Sequence, residues 1–144
     1  MKTLDKISLT ERIESLKAGL FGAFVVLCAF CLATVGNSAI GGQPEIDTLI
    51  PFAIRSAIAL LSGFLFGVTY RYAIRDDRNP HLKSGVVLAF GLVRGLAQVD
   101  GALDGETAPL FVGVWAIESV LFFAIAAKVL DWAIDRRWVK PLNG

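Results

Sequence analysis

Residues 109–130, PLFVGVWAIESVLFFAIAAKVL, decide the fold class. Glu118 and Lys128 are the only charges in this otherwise almost wholly apolar run. A helix rises about 1.5 Å per residue, so roughly 20 apolar residues cross the hydrocarbon core of a bilayer. A water-facing helix of this length would need a polar face. This stretch has none, and it predicts a transmembrane span over about 108–130.

Three other stretches read the same way, over about 18–40, 48–70 and 83–99. Together they account for a composition that is 55% hydrophobic and only 19% charged in 144 residues. The mean hydropathy is +0.62. The expected architecture is all-α: one transmembrane domain over 18–130, a four-helix bundle with no room for a separate soluble domain. An amphipathic lead-in over 1–17 precedes it, and an interfacial tail over 131–144 follows it. The lead-in mixes acids and bases ahead of its apolar run and shows no small-residue cleavage site, so Met1 reads as the mature start. Ser8 and Glu11 fit a capping box, and Ile13, Leu16 and Leu20 follow at helical spacing. Asp47 or Thr48 is placed to cap the second span, and Asn79-Pro80 to cap the third. Thr107 and Pro109 stand at the start of the fourth.

The 14 basic residues set the orientation. Lys2, Lys6, Arg12 and Lys17 precede span one. Arg71, Arg75, Arg78 and Lys83 lie between spans two and three, and Lys128, Arg136, Arg137 and Lys140 flank the end of span four. Only Arg55 and Arg94 remain, both inside apolar blocks. The two outer loops carry Glu45, Asp47, Asp100, Asp104 and Glu106 instead. Positively charged loops stay cytoplasmic, so both termini are expected inside. Tyr70, Tyr72, Trp132 and Trp138 form an aromatic belt on that same side.

The two halves resemble each other at nearly constant separation. Leu16-Lys17-Ala18-Gly19 matches Leu82-Lys83-Ser84-Gly85, and Ala53-Ile54-Arg55-Ser56 matches Ala116-Ile117-Glu118-Ser119. Tyr72-Ala73-Ile74 matches Trp132-Ala133-Ile134. This pattern predicts two tandem hairpins related by a pseudo-two-fold axis along the membrane normal; chance similarity in biased composition is the alternative.

Three ionisable residues fall within the spans. A charge at mid-bilayer costs about 2.5–3.5 kcal/mol even on a lenient scale, so it needs a partner. Arg94 and Glu118 each lie about 15 Å from a membrane boundary on adjacent antiparallel spans, and they are expected to form an ion pair. That pair is either a structural latch or part of a substrate or proton path. Arg55, about 9 Å below the outer surface, is placed to snorkel or to reach a loop carboxylate.

Gly63 and Gly67 form one GxxxG motif and Gly91 and Gly95 another, which bring helices together in lipid, either within the bundle or with another subunit. Cys28 and Cys31 spell C-x-x-C inside an apolar helix, where they read as buried small hydrophobes rather than a redox pair. His81 stands at the inner mouth of span three, either solvated or available as a pigment ligand or pH sensor. No phosphate loop, nucleophile–base pair or metal cluster is present, and the near-neutral charge gives no reason to expect nucleic acid. The basic inner loop suits anionic headgroups.

The segments YRYAIRDDRNPHLKSG (70–85) and AFGLVRGL (89–96) resemble a family of uncharacterised cyanobacterial and chloroplast membrane proteins. The resemblance covers about a quarter of the chain. It implies a thylakoid or bacterial plasma membrane location and an association with the photosynthetic apparatus. It draws attention to Arg94 and its flanking glycines, but supplies no active-site residues. The function expected is that of a non-enzymatic membrane subunit or assembly factor, partnered by lipid and by other membrane subunits or itself. A bound lipid, chlorophyll or carotenoid would be compatible with it. The alternatives are a small oligomeric transporter or channel using Glu118 with Arg94, and a quinone-linked thiol oxidoreductase using Cys28 and Cys31.

Overall fold

The computed structural model describes residues 9–40, 49–75, 79–102 and 109–142. They form four helices: α1 (Leu9–Ala39), α2 (Leu49–Ile74), α3 (Pro80–Gly101) and α4 (Pro109–Asp135). All four are long and apolar enough to cross a membrane. Successive helices run antiparallel. The α1–α2 contact is the most extensive and α3–α4 the next, while α1–α4 and α2–α3 close the ring. α2 also touches α4 across the bundle, which leaves α1 and α3 on the longer diagonal.

The bundle is apolar outside as well as inside. No more than 33% of any apolar window is buried, and the value for α3 is 11%. Leu32, Val93 and Leu110 are each at least 70% exposed. Burying such side chains would stabilise a water-soluble chain by about 1.5–3 kcal/mol apiece, so leaving them outside, on helices of spanning length, fits a greasy solvent. The chain is a multi-pass membrane protein by this criterion.

Helix ends depart from the expected spans in an informative way. α1 is continuous from Leu9, so the described part of the lead-in belongs to the first helix. Ile13, Leu16 and Leu20 are more than half exposed, whereas Glu14 and Ser15 are buried. The apolar stripe faces lipid, and the polar one faces protein. α2 runs one turn beyond Tyr70, because Arg71 finds acceptors inside the bundle. α4 extends to Asp135, which makes the first residues of the expected tail helical. Asn79 caps α3 as anticipated: its Oδ1 accepts from the backbone N–H of His81 at 3.0 Å, and Pro80 occupies the first helical position. Ser8, Asp47 and Thr48, assigned capping roles above, and Thr107, placed at the start of the fourth span, lie outside the described residues.

α4 ends in a Schellman turn built on a non-glycine residue. Arg137 adopts φ 59°, its N–H bonds the Ile134 carbonyl, and the Trp138 N–H reaches back to the Ala133 carbonyl, both at 2.9 Å. Trp138 then packs on Trp132, edge to face at 4.9 Å, as the apolar contact of such a turn. The turn throws Val139 and Lys140 back across the start of α1 and the end of α2, at the end of the bundle that is the inner one in the expected topology.

Both GxxxG motifs are spent within a hairpin. A Cβ on Gly67 would run into the Ala18 carbonyl and the Gly19 Cα; one on Gly22 would meet the Gly63 carbonyl. On the other hairpin, a Cβ on Gly91 would sit 2.7 Å from the Val120 Cα, and one on Gly95 3.2 Å from the Ala116 Cα. The paired hairpins therefore place their glycines on different members, α2 in the first and α3 in the second. Between the hairpins, Phe66, Phe90 and Phe123 meet at centroid distances of 5.1–5.6 Å, with Tyr70 stacked on Phe66.

Because backbone atoms cannot swing aside as a side chain can, Gly67→Ala should destabilise the protein measurably, read as a lower thermal midpoint in detergent. Gly36→Ala and Gly113→Ala, where a methyl meets open space, should be neutral or stabilising by up to about 1 kcal/mol.

Candidate functional site

The inner end of the bundle is organised by a buried arginine. Arg71 is 1% exposed, and its guanidinium has acceptors on three sides. Nη2 donates to Glu11 Oε2 at 2.6 Å, Nη1 to Ser15 Oγ at 2.7 Å and to the Glu11 carbonyl at 3.3 Å, and Nε to the Lys140 carbonyl at 2.8 Å. The other side of that tail residue is also held, since the Lys140 N–H donates to Glu14 Oε2 at 2.8 Å. Glu14 Oε1 in turn accepts from Lys17 Nζ at 2.8 Å. One arginine and one glutamate thus tie α1, α2 and the returning tail together. A second node joins the other helices: Asp131 Oδ1 accepts from Tyr70 Oη at 2.9 Å and from Lys83 Nζ at 3.0 Å.

Arg71 stood among the loop cations in the sequence reading, and its burial was missed there. The available signal was its register. Gly63, Gly67 and Arg71 are spaced i, i+4, i+8, so Arg71 continues the glycine stripe that faces α1. An arginine in that position has no route to bulk water and must be satisfied by protein.

Glu14 lies in the polar first turns of α1, ahead of the apolar run that begins at Ala18. Burial opposes its charge, but the bonds from Lys17 and the Lys140 N–H, with the charges of both lysines, outweigh that, and its carboxyl is held below the ordinary range. A lowered carboxyl contributes stability that is present above its unfolded value and is lost as pH falls through the folded one.

A second polar layer lies within the spans, and the expected Arg94–Glu118 ion pair is not formed there. Glu118 is bonded by Asn37, whose Nδ2 donates to Oε1 at 3.0 Å and to Oε2 at 3.2 Å. Arg94 crosses to α1 and lays its guanidinium 5.9 Å from the centroid of the Phe30 ring; its buried Nε has no hydrogen-bond partner. The reason is rotational. Gly91 and Gly95 turn towards Val120 and Ala116 of α4, and Ser119 on the same side of α4 donates to Gln98 Oε1 at 2.7 Å. Glu118, about 100° round the helix from Ser119, is carried towards α1 instead. Asn37 was the missed partner, since an amide near the end of an apolar run gave no sign of facing inward.

The remaining positions are quickly placed. Arg55 is exposed in the second turn of α2. Its counterpart in the proposed repeat, Glu118, is half-buried, so these matched positions are used differently. Cys28 is exposed and Cys31 half-buried, both as free thiols, which corrects the expectation that both are buried. His81 is exposed, and its backbone rather than its ring takes part in capping α3. Among the described residues no group of three His, Cys, Asp or Glu side chains could hold a metal ion.

Arg71→Ala should lower stability by about 3 kcal/mol, because it strands Glu11, Ser15 and the Lys140 carbonyl. Arg71→Lys should recover only part of this, since an ammonium cannot reproduce the planar fork. Thermal unfolding in detergent measures both. Glu14→Gln should reduce the loss of stability seen in wild type as pH falls below about 4.5, the ordinary carboxyl value. No known protein family, curated protein or solved structure matches this chain.

Proposed function

We propose that this protein is a non-enzymatic subunit or assembly factor of a larger membrane complex, with both termini on the cytoplasmic or stromal side. The observation that carries the reading is a filled interior beneath a largely unburied apolar exterior. Glycine contacts close each hairpin, aromatic rings from three helices fill the space between them, and Arg71 locks the inner end. α3 in particular buries little beyond Gly91 and Gly95, and it leaves Leu92, Val93 and Leu96 outward. That is the form of a helix that meets another membrane protein or lipid. The resemblance of 70–96 to cyanobacterial and chloroplast proteins favours a photosynthetic membrane, and the tandem-hairpin repeat belongs to the same reading. The basic residues gathered at the end that holds both described termini support the inside placement.

A small oligomeric transporter is the second reading, favoured by the unpartnered Nε of Arg94 and by a half-buried carboxylate, Glu118, both within the spans. In it, Glu118 would carry the coupled proton and Arg94 would tune it.

Purification in mild detergent after in vivo crosslinking tests the first reading. The expected outcome is a defined larger assembly that includes other membrane proteins, and a chain that migrates alone in every detergent would overturn it. Glu118→Gln separates the two readings. Under the subunit reading it changes stability modestly and leaves vesicle proton fluxes untouched, whereas a proton-coupled flux abolished by this change would establish the transporter.

A further inference from the structure

The basic residues at the inner end are not all used alike. Lys17, Arg71 and Lys83 are neutralised within the protein by Glu14, Glu11 and Asp131. Lys128 and Arg136 are not. Both are exposed, Lys128 on α4 and Arg136 in the turn that follows it, and neither forms an ion pair with a described carboxylate. Asp131, the nearest acid in sequence to Lys128, is committed to Tyr70 and Lys83, and the exposed Asp135 is bonded to neither cation.

These two cations frame a built surface. Lys128, Trp132 and Arg136 recur at i, i+4 and i+8, and the Arg136 N–H still bonds the Trp132 carbonyl, so they form one line along the outer face of α4 and into the turn that ends it. Beside this line lies an open groove of about 390 Å³, lined by Ala124, Ile125, Lys128, Val129 and Trp132. Its floor is apolar and its single charge is Lys128. At the inner end the Arg136 guanidinium lies 5.5 Å from the Trp132 ring. That ring is held from behind by Trp138, which contacts Phe21 of α1 at 6.2 Å. The Schellman turn at Arg137 puts Trp138 there, so the cation and its aromatic support are fixed by the fold rather than left to a mobile tail.

We propose that this face of α4 is a binding site for an anionic phospholipid of the inner leaflet. The acyl chain lies in the groove between Ala124 and Val129, and the phosphate sits between Lys128, whose stem snorkels towards the interface, and Arg136 over Trp132. Chemistry selects this occupant. A free phosphate has no use for the apolar floor, and a zwitterionic lipid carries its own cation to the place that the protein already fills with two. The site is separate from the Arg71 cluster, where every guanidinium nitrogen is already engaged.

Native mass spectrometry of the full chain in detergent, with phosphatidylglycerol or phosphatidylcholine at equal concentration, tests the proposal. The expected result is retention of phosphatidylglycerol with a preference on the order of ten-fold, as two interfacial cations would give. Lys128→Gln combined with Arg136→Gln should abolish that preference, and Lys128→Arg combined with Arg136→Lys should keep it. Equal retention of the two lipids by wild type, or a preference that survives the double glutamine change, overturns the proposal. Should the double variant not fold, the wild type still decides. Stronger quenching of its tryptophan fluorescence by brominated phosphatidylglycerol than by brominated phosphatidylcholine supports the site, and equal quenching overturns it.

Discussion

At Gly22, Gly63 and Gly67 the backbones of α1 and α2 approach with no side chain between them, and the inner half of the protein is built on that approach. In lipid there is no hydrophobic gain from bringing two apolar helices together, so association depends on close packing and on polar groups that have nowhere better to go. The glycine stripe supplies the first. It also forces the second, because the next residue in its register is Arg71. With α1 already in contact, the guanidinium is delivered against Glu11 and Ser15, and its Nε donates to the backbone of the tail. Had the helices stood apart, the same arginine could have reached the inner interface and remained a loop charge.

The two polar layers differ in how completely they are satisfied. At the inner end each guanidinium nitrogen of Arg71 has an acceptor and Asp131 serves two donors, which makes this end a rigid junction of four helices and a tail. The layer within the spans is looser. Glu118 and Asn37 link α4 to α1, Ser119 and Gln98 link α4 to α3, and Arg94 rests on an aromatic face. A cation over a ring is stabilised by the ring quadrupole without a counter-ion, which lessens the need for the direct Arg94–Glu118 pair. The separation of the two charges follows from a helix contact that orients Ser119, and with it every neighbour on α4.

Length and hydropathy alone determined that there are four spans and roughly where they lie, because rise per residue and bilayer thickness leave little freedom. The sequence also marked the glycines and the Asn79-Pro80 cap, whose roles depend on local geometry. Which face of each helix turns inward was decided only by the tertiary structure. Ile13, Leu16 and Leu20 recur at helical spacing, but the spacing does not say which way they face; they point outward, since in lipid an apolar stripe has no preference for protein. Asn37 and the return of Lys140 across the bundle were likewise invisible, and Arg71 was marked only by its register with Gly63 and Gly67. Each acquires its partner from a residue distant in the chain, through helix rotations that hydropathy does not encode.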